Sequence, residues 1–288
     1  MPLLGAHMSI AGHPHKAFLR GKEVGCQVIQ IFTRNRLRWV AKGLSRGEIN
    51  NFLKANKETS IIPVAVHGSY LINPASPSDG NRRRSLKLMI NEMEWAESLS
   101  IPFLVIHPGS HMGEGEAKGL SLVADFINKA HEKIKNYRTK ILLEMTSGQG
   151  TSLGYRFEHI RDILDSSEDN ERLGVCFDTC HVFAAGYDFK SKESYRHLFE
   201  EFDNIIGLKY LKLFHINDSK TRLGSRIDRH DHPGKGFIGI EPFSYFLNDS
   251  KFAEIPFILE TPKGVDANDV NFDIINLRLL KNLIRKNK

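Results

Sequence analysis

The chain has 288 residues, 41% of them hydrophobic, with a formal net charge of +6 and a pI near 9.1. That length suits one large domain, the apolar share supports a sizeable core, and the excess charge hints only weakly at a polyanionic partner. No apolar stretch approaches the roughly 20 residues of a membrane span, and the first residues lack the charged-then-apolar pattern of a signal peptide, so no membrane partner is expected.

Short β-rich runs follow one another at residues 3–7, 28–32, 62–66, 102–106, 140–144, 174–178, 211–216 and 256–260. The segments between them carry helical spacing. From Ser85 to Leu99, for example, Leu86, Met89, Ile90, Met93 and Ala96 fall on one face. The stretches from Ser121 to Ala130 and from Ser194 to Phe202 read the same way, and 73–80 reads as a loop capping the helix that follows. Strands alternating with helices in this way predict an α/β fold, a (β/α)₈ TIM barrel spanning residues 1–288 as a single domain. A doubly wound open sheet is the runner-up.

The chemistry lies where the apolar runs stop. His7, His67, His107, Glu144, Asp178, His215 and Glu260 each end one of them, His181 follows Asp178 closely, and Asp228 and His230 share the loop after His215. A lone histidine after an apolar strand is most often a hydrogen-bonded core residue. In a barrel, however, all C-terminal strand ends surround one cavity, and several histidines and carboxylates cannot converge there without metal or protons to offset them. His67, His107, Glu144, Asp178, His181, His215, Asp228, His230 and Glu260 offer nitrogen and oxygen donors of the kind that bind Zn²⁺ or Mn²⁺. A catalytic zinc takes about three protein ligands, so these nine predict two or three ions. Three divalent ions against four carboxylates leave roughly +2, a balance suited to a phosphate.

Several of these stretches together resemble the endonuclease IV family: His107 to Ser110, Gly148 to Gly150, Asp178 to His181, Asn217 to Lys220, Gly224 to His230 and Leu259 to Thr261. The likeness runs from Leu4 to about Thr261. Members of that family are zinc-dependent apurinic/apyrimidinic DNA endonucleases on a TIM barrel. The resemblance implies three Zn²⁺ per chain, with Mn²⁺ an alternative at one position. His67, His107 and Glu144 would hold the first, and Glu144 would bridge to a second completed by Asp178, His215 and Glu260. His181, Asp228 and His230 would hold the third. It also implies hydrolysis, by a metal-activated hydroxide, of the phosphodiester 5′ to an abasic site in duplex DNA. The products would be a 3′-hydroxyl and a 5′-deoxyribose phosphate, and blocked 3′ ends would be trimmed. Glu144 and Glu260 would be the catalytic carboxylates, Glu260 also orienting or deprotonating the nucleophile. Tyr70 and Leu71 match the residues that enter the helix at the lesion, where an apolar wedge can unstack a base step. The loop from Thr33 to Trp39 combines cations with an indole, as phosphate contact and stacking require. Two departures stand out. Leu37, between Arg36 and Arg38, occupies the position of the family's DNA-inserting arginine, so which of the three fills the gap stays open. Met145 stands where the family commonly has asparagine.

Other features receive plainer readings. Gly234 to Gly239 matches a dinucleotide-binding pattern but follows a ligand loop instead of a first strand, which suggests close backbone approach. Arg82, Arg83 and Arg84 read as a solvated helix face. Cys26, Cys176 and Cys180 form no even framework and no CxxC pair, which fits a reducing cytoplasm; Cys176 and Cys180 read as small apolar packing residues. His7 and His111 read either as residues orienting ligands or phosphate, or as plainly hydrogen-bonded ones. The rival function is a metal-dependent sugar isomerase or epimerase on the same barrel; a non-catalytic lesion binder would need broken ligands. The expected working unit is a monomer.

Overall fold

The computed structural model describes residues 2–33, 39 and 43–285. Arg36, Leu37 and Arg38 lie outside them. In chain order the elements are β1 (Leu4–Met8), α1 (Lys16–Val24), β2 (Val28–Phe32), α2 (Arg46–Thr59), β3 (Ile62–His67), α3 (Asp79–Ser98), β4 (Phe103–Ile106), α4 (Glu116–Lys133) and β5 (Lys140–Glu144). There follow α5 (Phe157–Asp165), β6 (Leu173–Asp178), α6 (Thr179–Ala185), α7 (Lys192–Ile205), β7 (Leu211–His215), β8 (Asp218–Ser219), β9 (His230–Asp231), α8 (Glu241–Asn248), β10 (Phe257–Leu259) and α9 (Phe272–Leu283).

Eight parallel strands close in the order β1-β10-β7-β6-β5-β4-β3-β2, so the barrel is a TIM barrel and the doubly wound sheet is excluded. Each predicted strand exists within a residue or two of its expected ends. Helix α3 starts at Asp79, taking in the last two residues of the loop expected over 73–80, because Ser78 accepts the Asn81 amide as an N-cap. Its fully buried face is Leu88, Met89, Glu92, Met93 and Ala96, while Leu86 and Ile90 sit at the edge of the core. Among the described residues no helix is long and apolar enough to cross a membrane.

Two cores flank the strands. Side chains of a strand alternate between faces, and one set fills the barrel: Val28, Ala65, Val105, Leu142, Cys176, Leu213 and Ile258 are buried together. The other set packs outward under the helices. There Phe177, Phe199, Phe202, Phe214, Phe246 and Phe252 form one aromatic cluster with edge contacts such as Phe214–Phe246 at 5.6 Å. Two residues beyond each interior residue, on the same face, stand Gln30, His67, His107, Glu144, Asp178, His215 and Glu260. The apolar plug of the barrel is thus the floor of the polar chamber above it. On β1, Gly5 precedes His7 by the same two residues, and a Cβ at Gly5 would run into the Val28 carbonyl.

One unpredicted element shapes the chamber wall. Strands β8 and β9 form a two-stranded antiparallel ribbon, pairing Asp218 with Asp231 and Ser219 with His230. Pairs this short leave no periodic trace in a sequence. The ribbon accounts for the glycine-rich Gly234–Gly239 loop. The buried Asp218 carboxylate accepts the amides of Ser219, Gly234, Gly236 and Ile238 at 2.7–3.0 Å. A Cβ at Gly236 would meet the Ser219 carbonyl, so the loop needs glycine for close approach, as its sequence suggests.

Candidate functional site

The strand ends assemble three overlapping groups of donors. His67 and His107 each place Nε2 against Glu144 Oε2, at 3.1 and 3.0 Å. The other oxygen of Glu144 lies 2.8 Å from His215 Nδ1, which is also 3.2 Å from Glu260 Oε2 and 3.8 Å from Asp178 Oδ2. Glu144 therefore faces two groups with its two oxygens. The third group forms off the barrel. Asp178 ends β6 and N-caps α6, its Oδ1 accepting the His181 amide at 2.9 Å, and this turns His181 back over the chamber. His181 Nε2 lies 3.1 Å from Asp228 Oδ2, and His230 Nε2 3.4 Å from Asp228 Oδ1. Asp228 itself is held by its amide bond to Gln149 Oε1 at 3.0 Å. Within each of three sets, His67/His107/Glu144, Glu144/Asp178/His215/Glu260 and Asp178/His181/His230, the donor atoms lie within 4.8 Å of one another.

These residues fit divalent ions. Glu144 and Asp178 are fully buried, and among the described residues the ion pairs of all four carboxylates are with histidines, none with lysine or arginine. Nitrogens His181 Nε2 and His230 Nε2 face each other at 3.3 Å, a separation that needs a shared proton or an ion. The remaining ring nitrogens are tied back: His67 Nδ1 to the Gly68 carbonyl at 2.8 Å, His181 Nδ1 to the Met145 carbonyl at 2.9 Å, His230 Nδ1 to the Glu260 carbonyl at 3.2 Å. Such outer bonds fix the ring orientation a metal ligand requires.

Charge follows the geometry. Burial alone would lift Glu144, but the charges of His215 and His107 hold it well below the usual carboxylate range. Glu260 is likewise depressed, the charge of His215 and the His7 hydrogen bond outweighing its burial. Burial works to lower His67, yet its bond to Glu144 and the charge of Glu260 raise it to about 9. His181, beside Asp178 and Asp228, is raised well above the ordinary histidine value despite its burial. Without ions, His67, His181 and His215 are therefore shifted toward their protonated forms.

The chamber opens beneath Tyr70, which is 53% exposed and whose ring centre lies 5.7 Å from His67 and 6.1 Å from His107. Its neighbour Leu71 packs against the core edge. A groove of about 840 Å³, lined by His7, Ile10, Phe32, Tyr70, His230 and Glu260 among others, leads away from the carboxylates. His7 Nδ1 lies 3.4 Å from Glu260 Oε1 and so touches the cluster. His111 accepts the Gly115 amide at 3.0 Å and packs beside Gly119, contacts that shape its loop and not the chamber. Cys176 and Cys180 are buried free thiols, Cys180 pushed up by burial to about 12. Two polar neighbours of the donors receive no role from the sequence. Asn217 donates to Asp178 Oδ2 and accepts the Glu260 amide, both at 2.8 Å. Gln30 bonds Glu260 and His215 at once. Its signal was a lone amide inside the apolar run Val28 to Phe32.

Residues 18–276 match the family described as xylose isomerase-like TIM barrel. The chain is 48% identical to a probable endonuclease 4 of Chloroflexus aurantiacus, over 99% of both chains. This chain belongs to the endonuclease IV family. The crystal structure of endonuclease IV from Thermus thermophilus superposes with a TM-score of 0.85 at 31% identity, covering 98% of each chain. With the family comes its class, that of metal-dependent AP endonucleases, which are hydrolases. The barrel is also shared with a D-tagatose 3-epimerase-like protein, at a TM-score of 0.73 and 19% identity over 98% of this chain and 96% of that one; this likeness is one of fold.

Proposed function

We propose that this member of the endonuclease IV family hydrolyses the phosphodiester 5′ to an abasic site in duplex DNA, leaving a 3′-hydroxyl and a 5′-deoxyribose phosphate. The same geometry would trim blocked 3′ ends. The observation that carries the reading is the three overlapping donor sets sharing Glu144 and Asp178. His67, His107 and Glu144 would hold one Zn²⁺. Glu144, Asp178, His215 and Glu260 would hold a second, and His181, Asp228 and His230 a third, with Mn²⁺ an alternative at one position. When bound, such ions supply Lewis acidity, bringing the pKa of a water toward neutrality and drawing charge from phosphoryl oxygens.

The chain's own residues do the rest. Glu144 holds its two neighbouring groups in one fixed relation through its two oxygens. Glu260, which lines the groove, would orient the attacking water and take its proton. The buried histidines exclude bulk water, which strengthens every charge interaction inside. Tyr70, standing directly over His67 and His107, would enter the base stack with Leu71 as an apolar wedge and hold the duplex open at the lesion. Arg36, Leu37 and Arg38, with Trp39, would contact the phosphates or fill the gap left by the base. The working unit we propose is a monomer. A sugar epimerase would leave the Asp228 and His230 group, and the exposed Tyr70 above the chamber, without a task.

The test is incision of a duplex with a single tetrahydrofuran abasic analogue, with metal content measured on the same sample. The analogue cannot undergo β-elimination, so a cut on its 5′ side is hydrolysis. Wild type is expected to cut and to carry two to three ions; Glu144→Ala is expected to lose both the cut and the two ions that Glu144 would share. A fully metallated wild type that leaves this duplex intact sinks the reading.

A further inference from the structure

We propose that Gln30 is a positioning residue that sets the second metal group by locking Glu260 and His215 in one orientation. The inference rests on the metal-site reading above and extends it to a residue outside the donor sets. Gln30 is fully buried in β2, two residues past Val28 on the barrel's inner face. Its Nε2 donates to Glu260 Oε1 at 2.6 Å and lies 3.1 Å from His7 Nδ1, while its Oε1 lies 2.9 Å from His215 Nε2.

The chemistry of these partners leaves one arrangement. An ionised carboxylate only accepts hydrogen bonds, so the amide must turn its NH₂ toward Glu260. Its carbonyl then faces His215 Nε2, which must carry a hydrogen to be satisfied. The lone pair that can reach an ion is thereby assigned to His215 Nδ1, the nitrogen that already faces Glu144, Asp178 and Glu260. Both polar atoms of the Gln30 side chain are thus used, and its nitrogen also lies 3.1 Å from His7 Nδ1. One neutral side chain thus selects the histidine tautomer and aims a carboxylate at the same position, without adding charge. His67, His181 and His230 are tied back by main-chain carbonyls. His215 alone among these is held by a side chain, and that side chain also holds a second donor.

The measurement is chelator competition and metal content for wild type, Gln30→Met and Gln30→Glu, with ¹⁵N NMR of the His215 imidazole in the loaded proteins. Gln30→Met keeps the volume and removes both bonds; we expect one ion to weaken 10–100-fold, the usual effect of removing an outer-shell partner, with the others unchanged. In wild type the His215 hydrogen should reside on Nε2. Gln30→Glu keeps the acceptor toward His215, and its affinity should fall between the other two. Gln30→Met retaining every ion as tightly as wild type overturns the proposal, and so does an equal weakening of all ions, which would mark general damage. A wild type that binds no ion at all would instead remove the metal reading beneath it.

Discussion

At the scale of single residues, His67 shows how a proton and a metal ion would compete for one ring. His67 is ordinarily protonated below about 6.5; burial pulls it lower, but Glu144 and Glu260 raise it to about 9. A raised folded value means that, in metal-free protein, the protonated pair adds stability that is fully present below about 6.5. That stability is lost as the pH climbs through about 9. An ion needs the neutral ring, so metal binding runs the other way: affinity grows with pH up to about 9, and binding near neutrality expels protons. Calorimetric titration of metal-free protein with Zn²⁺ in two buffers of different ionisation enthalpy should therefore give different apparent heats. Equal heats would mean that the rings bind already neutral and that the charge reading of the chamber is wrong.

At the scale of elements, the ribbon of β8 and β9 is the part that brings Asp228 and His230 over the barrel, and Asp218 is what folds it. Four amides converge on that carboxylate, and Gly236 is one of them. A methyl group at Gly236 would strike the Ser219 carbonyl, and Ser219 is paired with His230. Gly236→Ala should displace the ribbon, release one ion and leave the others, with barrel circular dichroism unchanged; full metal content in this variant would refute the coupling. The elements also show what a sequence can and cannot display. The strands were legible because an apolar run stopped by a histidine or carboxylate, repeated around a barrel, has one geometric meaning. The donors on those strands share the inner face with a core residue two places earlier, so burial and chemistry carry the same signal. The ribbon was not legible, since two-residue pairings depend on Asp218 reaching across a loop. Gln30 is illegible in the sequence because one polar residue within Val28 to Phe32 reads as an interruption until His215 and Glu260 are seen beside it. The arginine run Arg82 to Arg84 does lie in α3, whose first turn at Asp79 and Gly80 has no apolar spacing to mark it.

At the scale of the whole molecule, the carboxylates and histidines of the chamber are drawn from strands all around the closed barrel, so ions bind the folded chain and not the unfolded one. By mass action, an ion present at 100 times its dissociation constant adds about 2.7 kcal/mol. For a chain of this size that corresponds to about 5 °C or more in thermal midpoint. Removing the ions with a chelator should lower the midpoint by that order, and returning Zn²⁺ should restore it. A midpoint indifferent to chelation would show that the buried charges are balanced by protons alone.

The barrel's seam also fixes a sequence of events in time. β1 pairs with β10, Leu4 with Phe257 and Ala6 with Leu259, so the first strand waits for the last before the ring exists. Glu260 follows that strand directly. On a growing chain, His67, His107 and Glu144 emerge from the ribosome long before Glu260 does, and contacts this distant form slowly. The chamber as a whole is therefore younger than any of its walls: a partly made chain can offer isolated donors, but their full set is born in the step that finishes the fold.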